Sequence, residues 1–108
     1  MYDLTGSFAA LGDATRFAIV ERLLTEGELS AGALQSGTGI SPPAVSRHLK
    51  VLHDAGLVDR RTQAQSRLYS VKPEAMKAID QWIIDHREFW MASLDRLEDA
   101  LAKETGKT

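Results

Sequence analysis

Between positions 47 and 72 the chain carries six basic side chains, Arg47, Lys50, Arg60, Arg61, Arg67 and Lys72, against two acidic ones, Asp54 and Asp59. The remainder holds seven basic and thirteen acidic residues, so a net charge of −2 over 108 residues hides a positive middle on an acidic body. Such a segment suits a polyanion, because guanidinium and ammonium groups replace the counterions that a phosphate backbone condenses. A solvated basic face would look the same, and charge alone does not choose between them. Other chemistry is poorly supplied. Cysteine is absent, which removes disulfides, thiolate nucleophiles and thiolate metal sites together. Ser, His and Asp occur, but no spacing gathers a nucleophile, a base and an orienting group, so no enzyme is expected. His86 lies beside Asp85 on an apolar stripe, where one histidine per chain is thin for a metal. An interface histidine is the simpler reading, and neither a metal nor a cofactor is expected.

The elements that must carry these residues follow from periodicity. With 44% hydrophobic and 26% charged residues, the composition is that of an ordinary globular chain, long enough for one domain over 1–108. Leu4, Phe8 and Leu11 share one face of a first helix. Asp13 caps a second, over Ala14 to Leu24, whose inner stripe is read as Phe17, Val20 and Leu24 with Ile19 and Leu23 beside it. Ser30 caps a short third helix around Leu34. Ser41 caps a fourth, with Pro42 at its first position and Gly56 at its end. Val45, Leu49 and Leu52 then fall on one side of that helix, and Pro43, Ser46, Arg47, Lys50 and Asp54 on the other. His48 lies nearer the apolar side and is assigned a role within the protein. Two strand-like segments, Leu57 to Arg61 and Arg67 to Val71, predict a hairpin with a loose tip over Thr62 to Ser66. Tyr69 is read as a packing residue beneath it. From Pro73, the residues Met76, Ile79, Ile83, Trp90, Leu94, Leu97 and Leu101 recur at helical steps over roughly 30 residues, about 45 Å. So small a domain cannot cover that stripe, which is expected to meet its copy in a second subunit.

Short helix, glycine-containing turn, proline-started helix, hairpin: this order predicts a mainly helical, dimeric winged helix-turn-helix. The helix-turn-helix spans 30–55 and the wing 57–72, with interface helices over 1–11 and 73–103. One face of the fourth helix is apolar. The other is small, polar and mostly basic, as a helix entering the major groove needs. The expected DNA-binding residues are Ser41, Pro43, Ser46, Arg47 and Lys50 on that helix, with Arg60, Arg61, Gln65 and Arg67 on the wing. The expected interface residues are Leu4, Phe8, Ile79, Ile83, Trp90, Leu94 and Leu97. A winged helix can instead serve only to bind another protein, but such a module would show apolar residues where Ser46, Arg47 and Lys50 stand. Met1 to Ala10 has no basic stretch followed by an apolar run, and no segment is apolar for long enough to span a membrane. A cytoplasmic protein is expected.

The stretch from Ser41 to Val58, SPPAVSRHLKVLHDAGLV, resembles the helix-turn-helix signature of the ArsR/SmtB-type repressors. Gly12-Asp13-Ala14-Thr15-Arg16 is similar to that family's "ALxDPTR" opening, with Ala14 where proline is usual. The resemblance covers nearly the whole chain. It implies a homodimeric repressor of its own operon that binds double-stranded operator DNA. It further implies an interface built from the first and last helices, and DNA contact through Ser46, Arg47 and the wing arginines. Three departures stand out. Ser30 and Gly32 occupy the positions of the Cys-x-Cys pair of arsenic-sensing members. Asp80, Trp82, Ser93 and Arg96 fall where zinc-sensing members carry their Asp and His ligands, and cannot make that site. Pro42 replaces a residue that is often a base-reading Gln. The chain therefore looks like a cysteine-free branch without the usual metal sites. Its effector is either an unidentified small molecule or absent, with occupancy set by the monomer–dimer equilibrium.

Overall fold

Every helix that opens in the first two thirds of the chain starts on a side-chain cap. In the computed structural model, which describes residues 2–105, Asp3, Asp13, Ser30 and Ser41 accept hydrogen bonds from the backbone N–H groups of Gly6, Arg16, Ala33 and Ala44. These caps satisfy donors that the first helical turn leaves unpaired. The resulting order is α1 (Leu4–Leu11), α2 (Ala14–Glu26), β1 (Leu29–Ser30), α3 (Ala31–Ser36), α4 (Pro42–Asp54), β2 (Val58–Gln63), β3 (Ser66–Val71) and α5 (Pro73–Thr105). The fold is mainly helical with an antiparallel wing, as the sequence predicts. Met1 and residues 106–108 lie outside the described residues.

Gly56 closes α4 in a Schellman arrangement. Its N–H donates to His53 O at 3.0 Å and that of Leu57 to Leu52 O at 3.0 Å. This geometry places Gly56 at φ +77°, a conformation that costs glycine little and other residues roughly 1–2 kcal/mol. The turn delivers Leu57 and Val58 into the core, where both are fully buried.

The chain divides into two compact units, one ending at Ala78 and the other beginning at Ile79. The core of the first comprises Ile19, Val20 and Leu23 of α2, Leu34 of α3, Val45, Leu49 and Leu52 of α4, and Leu57, Val58 and Tyr69 of the wing. Truncating a buried Leu or Ile in such a core costs about 2–5 kcal/mol. The α4 face is the predicted one, and Tyr69 packs as expected. The α2 face differs: Phe17 and Leu24 are half exposed while Ile19, Val20 and Leu23 are buried. The apolar arc of α2 is wide enough to pack at either edge. Its docking against α4 and the sheet selects the Ile19–Leu23 edge. On α1 the small residues Ser7 and Ala10 face inward, leaving Leu4 half-buried and Phe8 exposed. The hydroxyl of Ser7 is buried and finds no hydrogen-bond partner among the described residues.

Two features of the wing depart from the sequence reading. The sheet has three strands in the order β1-β3-β2, all antiparallel. The third, β1, is only two residues long and leaves no periodic trace. The hairpin tip is tight: β2 and β3 pair as far as Gln63 and Ser66, so only Ala64 and Gln65 form the turn. Ala64 takes φ +55°, as two-residue hairpin turns demand. Neither Gly nor Asn stands there to signal such a turn, which is why the sequence predicts a loose tip.

The second unit consists of the α5 helix from Ile79 onward. None of its described residues is buried, and Ile83, Trp90, Leu94, Leu97 and Leu101 are each at least half exposed.

Candidate nucleic-acid interface

α4 separates its two faces sharply. Val45, Leu49 and Leu52 are buried, whereas Pro43, Ser46, Arg47, Lys50 and Asp54 are exposed. Ser41 spends its hydroxyl on the cap, accepting from Ala44 N–H at 3.3 Å. The helix is held from below by a polar cluster. His48 Nδ1 lies 3.5 Å from an Arg16 guanidinium nitrogen and 3.8 Å from Asp13 Oδ2. Arg16 donates through Nε to Ala10 O at 2.7 Å. The Arg16 backbone N–H bonded to Asp13 holds that carboxyl below the usual carboxylate range. His48 thus works within the protein, as its place beside the apolar face suggests. The α3 end is fixed by Arg22, which donates to the carbonyls of Ala33 and Leu34 at 3.2 and 3.3 Å. A Cβ on Gly37 would come within 2.6 Å of that guanidinium, so the residue after α3 must be small for Arg22 to reach.

The wing forms the second wall. The register pairs Arg60 with Tyr69 and Thr62 with Arg67. Because side chains alternate along a strand, Arg60 and Arg67 share the face that carries Tyr69. A groove of about 410 Å³ lies between this face and α4, lined by Ser46, Lys50, His53, Asp54, Arg60 and Arg67. Arg47, Arg60 and Arg67 make no ion pair among the described residues. Lys50 is paired: its Nζ donates to Asp54 Oδ2 at 2.9 Å. That bond is the main reason the Asp54 carboxyl titrates below its ordinary range. Gln65 stands at the wing tip, bordering a second hollow with Arg67 and Ser66.

Arg61 stands apart. It pairs with Leu68 in the register, on the opposite face of the wing from Arg60, and its guanidinium grips Glu28. The sequence groups the three wing arginines, but the structure brings only two of them to the groove. Two groove residues, His53 and Asp54, have no role assigned from the sequence. His53 and Asp54 follow Lys50 by three and four residues, the helical spacing that places them beside it at the groove.

Of the expected interface residues, Leu4 and Ile79 are half-buried, while Phe8, Ile83, Trp90, Leu94 and Leu97 are exposed. His86 places Nδ1 2.8 Å from Trp82 O, so that nitrogen donates, and its ring stacks on Trp82 at 4.6 Å. Among the described residues no three His, Cys, Asp or Glu side chains gather as a metal site would require. None of the described helices is long and apolar enough to cross a membrane.

A helix-turn-helix domain family matches residues 11–61. The HTH-type transcriptional regulator Rv2034 of Mycobacterium tuberculosis is 42% identical over 88 residues, which cover 82% of this chain and 78% of that protein. The arsenic resistance transcriptional regulator ArsR1 of Pseudomonas putida is 31% identical over 88 residues, covering 79% and 69%. A crystal structure of an ArsR family transcriptional regulator superposes with a TM-score of 0.74 at 28% identity, over 82% of this chain and 96% of that one. The fold is that of a winged helix-turn-helix DNA-binding transcriptional regulator. The chain belongs to the ArsR/SmtB-type family of transcriptional regulators.

Proposed function

We propose that this regulator is a repressor that binds a two-fold-symmetric operator as a homodimer. The observation that carries the reading is the pairing of two cationic walls. α4 presents Ser46 and Lys50, and the wing Arg60 and Arg67, to the same groove, with Arg47 exposed next to Ser46 on α4; among the described residues Arg47, Arg60 and Arg67 make no ion pair. α4 enters the major groove, with Arg47 on a base edge or phosphate and Pro43 and Ser46 close to the duplex. Ser41 and Lys50 sit nearest the backbone. Arg60, Arg67 and Gln65 follow the phosphates flanking the site. Dimerisation proceeds through Leu4 and Phe8 of α1 and Ile79, Ile83, Trp90, Leu94 and Leu97 of α5, which accounts for an apolar helix face too large to leave in water. Residues 1–108 act as one regulatory domain in the cytoplasm. Any effector is a small molecule outside the thiolate and zinc chemistry of the family's best-known sensors.

Fluorescence anisotropy tests this, using a duplex from immediately upstream of the protein's own coding sequence against a random duplex over a salt series. Specific operator binding is expected to be about 10³-fold or more tighter than random binding, with a steep salt dependence. Equal, weak binding to both duplexes would overturn the operator reading.

A further inference from the structure

Arg61 forms the best-formed charge pair of the wing. Its Nε donates to Glu28 Oε2 at 2.8 Å and its NH2 to Glu28 Oε1 at 2.6 Å, a fork that matches both carboxylate oxygens. Glu28 stands one residue before β1, and Arg61 lies on β2, the strand at the other edge of the sheet. The pair therefore reaches across the central strand. β1 contributes only the pairings Leu29 with Tyr69 and Ser30 with Leu68. β2 is anchored at its start, where Val58 is buried and the strand meets α4; further along the strand, the fork from Arg61 to Glu28 ties the exposed part of the hairpin to the body.

Resting on the DNA-binding reading above, we propose that Arg61 is a positioning residue of the interface and not a phosphate ligand. Locked to Glu28, it sets the pitch of the wing, so that Arg60 and Arg67 on the other face meet the duplex. A phosphate approaching Arg61 would have to displace a carboxylate from both in-plane donors and then face that carboxylate's charge. The bond from Arg61 holds the Glu28 carboxyl below the usual carboxylate range and raises Arg61, so the pair persists across the pH range in which DNA is bound.

Charge and position make opposite demands on two single variants, which allows a clean test. Glu28→Gln removes a negative charge from the protein, and Arg61→Gln removes a positive one. If Arg61 touched phosphate, Arg61→Gln would weaken binding and flatten the salt slope by about 0.9 for each phosphate no longer neutralised, while Glu28→Gln would leave affinity unchanged or raised. If Arg61 positions the wing, both variants weaken binding in the same direction, by about two- to fivefold for an exposed pair. Their salt slopes flatten alike as Arg60 and Arg67 lose phosphates, the double variant is no worse than either single, and the exchanged pair Glu28→Arg/Arg61→Glu recovers wild-type affinity. Anisotropy on the upstream and random duplexes reads all of these. Hydrogen exchange of the β2 and β3 amides in the DNA-free protein gives an independent readout, and both single variants should speed it alike. Opposite shifts in affinity, a flattened slope for Arg61→Gln alone, or unchanged exchange in Glu28→Gln would each overturn the assignment. Should wild type bind neither duplex, the DNA reading fails, while the exchange experiment still decides the clamp.

Discussion

Asp54 is a carboxylate in the groove proposed to meet DNA phosphates, and neutralising it should strengthen DNA binding. In the free protein it holds Lys50 Nζ at 2.9 Å, with the Lys50 side chain 74% exposed and that of Asp54 59% exposed. The pair is thus solvent-screened and worth little to folding, and Asp54→Asn should leave the melting temperature nearly unchanged. On DNA the effect is larger. The variant removes one negative charge from the wall facing the backbone and frees one ammonium to neutralise a phosphate. One more phosphate neutralised per protomer steepens the slope of log K against log salt by about 0.9, hence about 1.8 for a dimer, and at 0.1 M salt tightens binding up to about tenfold per protomer. The assay is anisotropy on a random duplex between 50 and 300 mM salt, on the order of the range over which counterion release is resolved. Glu26→Gln is the control. It makes the same charge change on α2, while its partner Arg22 stays bound to the carbonyls of Ala33 and Leu34. Glu26 does not line the groove, and salt screens the effect of exposed charges that lie away from a site. An Asp54→Asn slope equal to wild type, or equal shifts in Asp54→Asn and Glu26→Gln, would refute the reasoning.

Four further outcomes are expected. Arg47→Ala weakens operator binding by about 1–3 kcal/mol and relaxes base preference if it reads a base; equal weakening on operator and random duplex, measured side by side, would mark it as a phosphate ligand. Leu94→Glu, on the exposed α5 face, yields a monomer by sedimentation and loses operator affinity with it, because one recognition helix cannot span two half-sites; a monomer that still holds the operator tightly would contradict this. Ser7→Ala removes a buried hydroxyl without a partner and should stabilise the fold by about 1 kcal/mol in urea titration; a drop in stability would show that the hydroxyl is satisfied in solution. Ala64→Gly relieves a left-handed alanine at the wing tip and should add about 0.5–1 kcal/mol, read from the same titration, with any decrease counting against the tight turn.

The helices were legible because several signals agreed at each boundary. At α4, Ser41, Pro42, the Val45–Leu49–Leu52 spacing and Gly56 all point to the same start, face and stop. The wing was legible as a hairpin but not in its details. A strand of two residues has no period to detect, and Ala64 carries no mark of a left-handed turn. The choice between Phe17 and Ile19 as the inner edge of α2 depends on what the helix docks against, which local spacing does not contain. The interface residues divide along the same line. Arg47 follows from the helical wheel alone, whereas separating Arg61 from Arg60 needed the strand register, and finding its partner Glu28 needed the third strand.

Ser30 has a consequence of its own. It ends β1, where it pairs with Leu68, and its hydroxyl caps α3 by accepting from Ala33 N–H at 3.1 Å. Glu28 grips β2 immediately before, and α3 begins immediately after. Four successive residues, Glu28 to Ala31, thus serve three joints: the clamp to β2, the pairing with β3 and the start of α3, with no spare length between them. An insertion here would break sheet and helix together, whereas the hairpin tip at Ala64–Gln65 can lengthen without cost to either. Wing and helix-turn-helix are therefore inherited as one casting. A descendant of this protein can acquire a new target sequence by exchanging side chains along α4 or by remodelling the tip, and the angle between the two walls passes on unaltered.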